Sequence, residues 1–142
     1  HRADDAVFAE RALGADRCHC LSPFRELRRR GARLAFGSDW PVVSPDPLAG
    51  MAAAIVGHDA NGQPFHIDQC LTVEEALQAY TLEAADQAGL EDVGKLGVGS
   101  FADFVVWDED PRQASWSTRV PRILATFIGG KQVAGTPLEI QS

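Results

Sequence analysis

Apolar residues recur along this chain with two different periods, and the change falls near Gly89. Before that point the spacing is mostly helical. Val7, Phe8, Ala12 and Leu13 give a weak helical pattern over residues 6–13, which Gly14 ends. Ser22 offers an N-cap and Pro23 suits a first helical position, so a helix is predicted over 22–30, through Phe24 and Leu27 to a stop at Gly31. Ala32 to Phe36 reads as a short strand, broken by Gly37-Ser38-Asp39-Trp40-Pro41. Asp46 and Pro47 have the order of a cap and a first-turn proline. Leu48, Met51, Ala52 and Ile55 then share one helix face, predicting a helix over 46–56. Thr72 and Glu75 have the spacing of a capping box and open a helix over 73–88. Leu77, Tyr80, Thr81, Ala84 and Ala88 line one face of it.

After Gly89 the pattern is that of strands. Phe101 to Trp107 is apolar on both faces, which predicts a strand covered on both sides. Ile123 to Ile128, Gly129-Gly130 and Lys131 to Ala134 read as a hairpin, because two glycines satisfy the positive φ angles of a type I′ turn. The chain therefore divides into residues 1–90, helical with one strand, and residues 91–142, all β. No internal repeat or low-complexity segment interrupts either region.

Composition narrows the function classes. The 142 residues are 45% hydrophobic and 23% charged, a globular balance rather than a disordered one. The net charge of −7 argues against nucleic acid as a partner, since phosphate binding needs a basic face. The basic run Arg28-Arg29-Arg30 sits where cations complement a helix C-terminus. No apolar stretch is long enough to span a membrane, so a membrane role is not expected. The chain begins at His1 with no signal-peptide pattern, and a longer parent is expected. Cys18, Cys20 and Cys70 are too few for a disulfide framework, which points to a reducing, cytoplasmic setting.

Asp39 is the first candidate for chemistry. It follows a strand, and the C-terminal ends of parallel strands form the active-site face of α/β architectures. An aspartate here equally suits a turn. Cys18-His19-Cys20 is spaced too tightly for one zinc and has no second ligand pair, so it reads as a helix–helix connection. His58 and His66 flank a loop, either bordering a substrate mouth or simply solvated. The glycines at 94, 97 and 99 precede a strand and Gly130-Lys131 lacks a following helix, so neither is a phosphate loop. Asp103 and Asp108 read as structural turn or cap residues.

Leu34-Ala35-Phe36-Gly37-Ser38-Asp39-Trp40-Pro41-Val42 resembles the strand-eight signature of the amidohydrolase superfamily, and more narrowly its family 3 branch of N-substituted formamide deformylase-like enzymes. Gly94-Lys95-Leu96, Gly99, Ala102-Asp103, Val105-Val106 and Asp108 resemble the stretch where these proteins re-enter their β-sandwich. Asp46-Pro47-Leu48, Leu71 to Thr81 and Gly129-Gly130-Lys131 are also similar to that branch. The resemblance implies an α/β fold: residues 1–90 as the last β/α units of a (β/α)₈ barrel, and residues 91–142 as the C-terminal part of a small β-sandwich. It implies a divalent metal, zinc foremost, with Asp39 as the metal-proximal acid that carries a proton. The substrate would be a small molecule of amide type, cleaved at a C–N bond other than a peptide bond, and a homo-oligomer is compatible with it. His1 lies at a distance from Asp39 that resembles the spacing of the branch's strand-seven histidine, a substrate-facing position; a terminal histidine is otherwise incidental.

This sequence departs from the family pattern in one respect. The His-x-His pair and two later histidines that complete the metal site have no counterpart in it. A catalytic zinc usually takes three protein ligands, so these residues alone are expected to bind zinc weakly and to be inactive. The alternative is a non-catalytic or decayed domain that keeps the fold without the metal.

Overall fold

In a computed structural model of the chain, residues 1–137 are described, and their order is six α-helices, with a 3₁₀ turn at Ile67–Gln69 between the fourth and the fifth, followed by a three-stranded sheet. Helix α1 spans Arg2–Leu13 and ends at Gly14, whose φ of 78° an L-residue rarely adopts. A single turn, α2, covers Ala15–Cys18. Helix α3 is shorter than its sequence suggests, Phe24–Arg29. Ser22 does not cap it: Ser22 takes φ 50°, and Pro23 occupies the N-cap without a side-chain hydrogen bond. Helix α4, Pro47–Val56, starts as its sequence predicts, with the Asp46 carboxylate accepting from Leu48 N–H at 2.9 Å.

The region expected as one helix over 73–88 is two. The capping box is formed, Thr72 Oγ1 accepting from Glu75 N–H while Glu75 accepts from Thr72 N–H, and α5 runs Val73–Tyr80. At Thr81 the backbone leaves the helical region (φ −124°, ψ −91°) and its hydroxyl donates back to Leu77 O; α6 then spans Leu82–Gln87. A threonine that bonds the preceding turn competes with the backbone ladder, which accounts for the break.

The expected strand at Ala32–Phe36 is not a strand among the described residues. The segment is extended, but no strand pairs with it. Its anchors come from helices: Phe36 N–H donates to Ala79 O at 3.0 Å, and Leu34 N–H donates to Glu83 Oε2 at 3.1 Å. Glu83 is itself buried and also takes the Arg28 guanidinium, so one carboxylate ties the segment to α3 and α6.

Strand β1 spans Phe104–Trp107, β2 Ile123–Ile128 and β3 Lys131–Gly135, antiparallel in the order β1-β2-β3. Phe104 faces Phe127 in register, their rings stacked with centroids 4.5 Å apart. Gly129 and Gly130, at φ 56° and 77°, close the β2–β3 hairpin as expected. The expectation that the first strand is buried on both faces fails. It is four residues long, partly exposed along its length, and Val105 is 40% exposed because nothing described covers its outer side. Asp103 accepts from Gly129 N–H, and Asp108 takes Arg122 N–H together with the Arg119 and Arg122 side chains, so both hold the sheet's ends.

Helices and sheet share a core. Met51 of α4, Ala76 of α5 and Trp116 from the β1–β2 connection form its buried centre, with Leu48, Leu77, Tyr80 and Trp107 packed around them. Trp116 also donates its indole N–H to Pro111 O at 2.8 Å, so its polar end is satisfied.

Candidate active site

The extended segment 32–38 delivers Asp39 to a turn in which Val42 N–H donates to Asp39 O at 2.9 Å. Asp39 has φ 49°, a conformation in which aspartate is better tolerated than most residues. Its side chain is exposed, and the carboxylate accepts no hydrogen bond and forms no ion pair among the described residues. The turn therefore positions an acid without using it as a cap, whereas Asp46 a few residues on is so used.

His1 stands beside this turn. Its Nε2 lies 3.0 Å from Ser38 O. A carbonyl only accepts, so Nε2 is the donor in this contact. A cavity of about 240 Å³ has His1, Arg2, Phe36, Gly37, Gly50 and Tyr80 in its wall, and Asp39 does not line it. Burial, and secondly the Asp46 carboxylate, push the Tyr80 phenol up from its ordinary value. Arg2 and Tyr80 carried no signal in the sequence: Tyr80 falls on an ordinary helix face, and Arg2 has no acidic neighbour at helical spacing to mark it.

The remaining candidates lie elsewhere. His19 Nε2 is 3.3 Å from Cys20 Sγ at the exposed end of α2, and Cys18 donates instead to Gly14 O. His58 and His66 are not freely solvated loop residues. His58 is half-buried in a bridge with Pro64; His66 is half-buried, stacked on Phe65, with Nδ1 3.2 Å from Leu21 O. Among the described residues no three His, Cys, Asp or Glu side chains gather closely enough to hold a metal ion. Asp39 and His1 alone do not make a metal centre, so the donor set of this chain does not by itself fit a catalytic divalent ion.

A mixed α/β arrangement of helices beside a small antiparallel sheet also occurs in a metal-dependent hydrolase of Pyrococcus horikoshii. That structure superposes with a TM-score of 0.68 at 29% identity, over 81% of this chain and 24% of that one. Residues 1–134 match the family model described as the amidohydrolase family, and the chain belongs to that family. It is 36% identical over 141 residues to the protein LONG AFTER FAR-RED 3 of Arabidopsis thaliana, covering 94% of this chain and 23% of that protein. It is 30% identical over 112 residues to the N-substituted formamide deformylase of Arthrobacter pascens, covering 78% of this chain and 21% of that enzyme. The chain thus spans under a quarter of the length of these curated relatives. No helix among the described residues is long and apolar enough to cross a membrane.

Proposed function

We propose that the whole protein to which these residues belong is a metal-dependent hydrolase of a non-peptide C–N bond in a small amide-type molecule. In this reading residues 1–90 complete a (β/α)₈ barrel and residues 91–142 a β-sandwich. The metal, zinc foremost, is held by histidines outside these residues. Asp39 is the acid beside it, taking a proton from the attacking water and returning it to the leaving nitrogen, and His1 faces the substrate. One carboxylate can serve both transfers because the proton it accepts is the one the departing amine needs. The observation that carries the reading is the exposed, unpartnered Asp39 carboxylate at the end of the extended segment, within a chain that matches the amidohydrolase family over residues 1–134. Three free cysteines support a reducing, cytoplasmic setting, and the exposed strand edges support a homo-oligomer.

One further reading shares the absence of a metal-holding cluster among the described residues, a family domain without catalysis. Substitution decides between them. In the whole protein, assayed on N-substituted formamides, Asp39→Asn should lower kcat by about 10²–10⁴-fold, since the amide is nearly isosteric but cannot accept and return a proton. Circular dichroism should be unchanged. Activity within a few-fold of wild type would remove Asp39 from this role, and a wild type inert toward every amide would favour the non-catalytic domain.

A further inference from the structure

The extended segment that leads to Asp39 is held along one edge. Leu34 N–H donates to Glu83 Oε2 at 3.1 Å, Phe36 N–H donates to Ala79 O at 3.0 Å, and Ser38 O accepts from His1 Nε2 at 3.0 Å. In extended backbone, alternate residues present their N–H and C=O groups to the same side, so these anchors form one row that ends at the residue before Asp39. Two of them depend on the break at Thr81. An unbroken helix would engage Ala79 O with the N–H four residues on. Instead the backbone leaves the helical region at Thr81, and Phe36 N–H takes that carbonyl. The same break starts α6, which carries Glu83.

Glu83 is 8% exposed. Its two oxygens meet two donors. Oε1 takes the Arg28 guanidinium, whose other terminal nitrogen donates to Gln78 Oε1 at 2.9 Å, and Oε2 takes Leu34 N–H. An ion pair with Arg28 needs only one of these oxygens. The second is used on a backbone amide of the segment that carries Asp39. A glutamine has one acceptor oxygen and could not reach both donors from their separate positions. A carboxylate is therefore matched to the two donors, and not to the charge of Arg28 alone.

We propose that Glu83 is a positioning residue for Asp39: by holding Leu34 it fixes the register of the segment against α5 and α6, and so where the Asp39 carboxylate stands. The consequence for rate rests on the hydrolase reading; the hold on the segment does not. Glu83 acts through the backbone, so its loss displaces the acid without changing the acid's chemistry. A displacement of about 1 Å costs on the order of 10²-fold in rate.

The test compares three variants of the whole protein on N-substituted formamides. In Glu83→Gln the single oxygen is drawn to Arg28, the stronger donor, and Leu34 loses its acceptor. Then kcat should fall roughly 10–100-fold, with KM within about twofold of wild type. Adding Arg28→Met frees that oxygen for Leu34 N–H, so Arg28→Met/Glu83→Gln should recover kcat to within about threefold of wild type. Arg28→Met/Glu83→Leu is equally uncharged but has no acceptor, and should stay impaired. Hydrogen exchange of peptides covering 32–42 should quicken in Glu83→Gln and in the leucine variant, and slow again in Arg28→Met/Glu83→Gln. Wild-type kcat in Glu83→Gln, where Asp39→Asn is severely impaired, would overturn the proposal. Equal kcat in the two double variants would also overturn it, leaving Glu83 an ion-pair partner only. That comparison serves even where Glu83→Gln does not fold, because exchanging a buried ion pair for neutral side chains is commonly tolerated. If Asp39→Asn is harmless, the hydrolase reading falls and exchange alone decides on Glu83: unaltered protection of 37–42 overturns the positioning, and lost protection upholds it.

Discussion

Arg2 offers the sharpest test of how these residues hold together. Its side chain leaves α1 and donates to Ala53 O at the end of α4, and to Phe65 O and His66 O in the following loop, at 2.5, 3.0 and 2.8 Å. One residue thus joins three segments up to 64 positions apart in sequence. Arg2→Met keeps the apolar stem and removes every donor. Three carbonyls then lose a charged donor in a site too closed for full rehydration. Each such loss costs on the order of 1–3 kcal/mol, offset in part by no longer burying a cation, so the net destabilisation should be about 3–5 kcal/mol. At roughly 2–4 °C per kcal/mol for a chain of this size, melting should fall by about 6–20 °C. Arg2→Lys should recover only a fraction, because one ammonium cannot span three carbonyls. Urea unfolding gives the energy. Hydrogen exchange of peptides covering 2–13 and 57–71 gives a readout that needs no two-state transition. If Arg2→Met unfolds within about 0.5 kcal/mol of wild type and these peptides stay protected, the guanidinium is a net burden rather than a joint.

Acid should loosen the sheet. Hydrogen bonds from Arg122, with Arg119 close by, lower the Asp108 carboxyl, and Arg112 brings Asp110 down to about 2. Both folded values lie below the unfolded one, so this stability is present above about pH 4 and is lost as pH falls through the folded values. Melting temperature should decline between pH 4 and 2, and Asp108→Asn should flatten the slope; a flat wild-type profile would refute the assignment. Thr72→Ala removes one half of the α5 capping box and should cost about 1 kcal/mol in urea unfolding, with a loss under about 0.2 kcal/mol contradicting the cap's role. Expressed alone, residues 1–142 should self-associate. Among the described residues strands β1 and β3 have no partner on their outer edges, and Leu96, Val98, Phe101 and Ile128 are each more than half exposed. Light scattering that finds a monodisperse monomer with a sharp melt would show these residues to be self-sufficient.

Local signals carried the elements whose stability is local. The Asp46 cap, the Thr72–Glu75 box and the Gly129-Gly130 turn are each decided by residues within a few positions, and each is found where the sequence puts it. What the sequence misjudged depends on distant partners. Ala32 to Phe36 has the composition of a strand, yet a strand exists only where another lies beside it, and here Glu83 and Ala79 take that place. Thr81 lies on the apolar face of its helix, and only its hydroxyl's bond to Leu77 O reveals the break. At the site, Asp39 stood out because a charged residue followed an apolar run. Arg2 and Tyr80 did not, because their place in one cavity wall is a property of the assembled fold alone.

Trp116 has a consequence for where this chain can be cut. The composition changes character near Gly89, an inviting place to separate a helical half from a sheet half. Yet the tryptophan that completes the helical core is supplied from beyond that point, between β1 and β2. A buried tryptophan removes about 150–250 Å² from water, on the order of 4–6 kcal/mol of hydrophobic stabilisation. Residues 1–90 produced alone would carry a tryptophan-sized hollow over Met51 and Ala76, and residues 91–142 a tryptophan with nowhere to go. A cleavage site engineered between the halves should therefore release no soluble pieces from the folded chain: the nicked halves should elute together until denaturant draws Trp116 out.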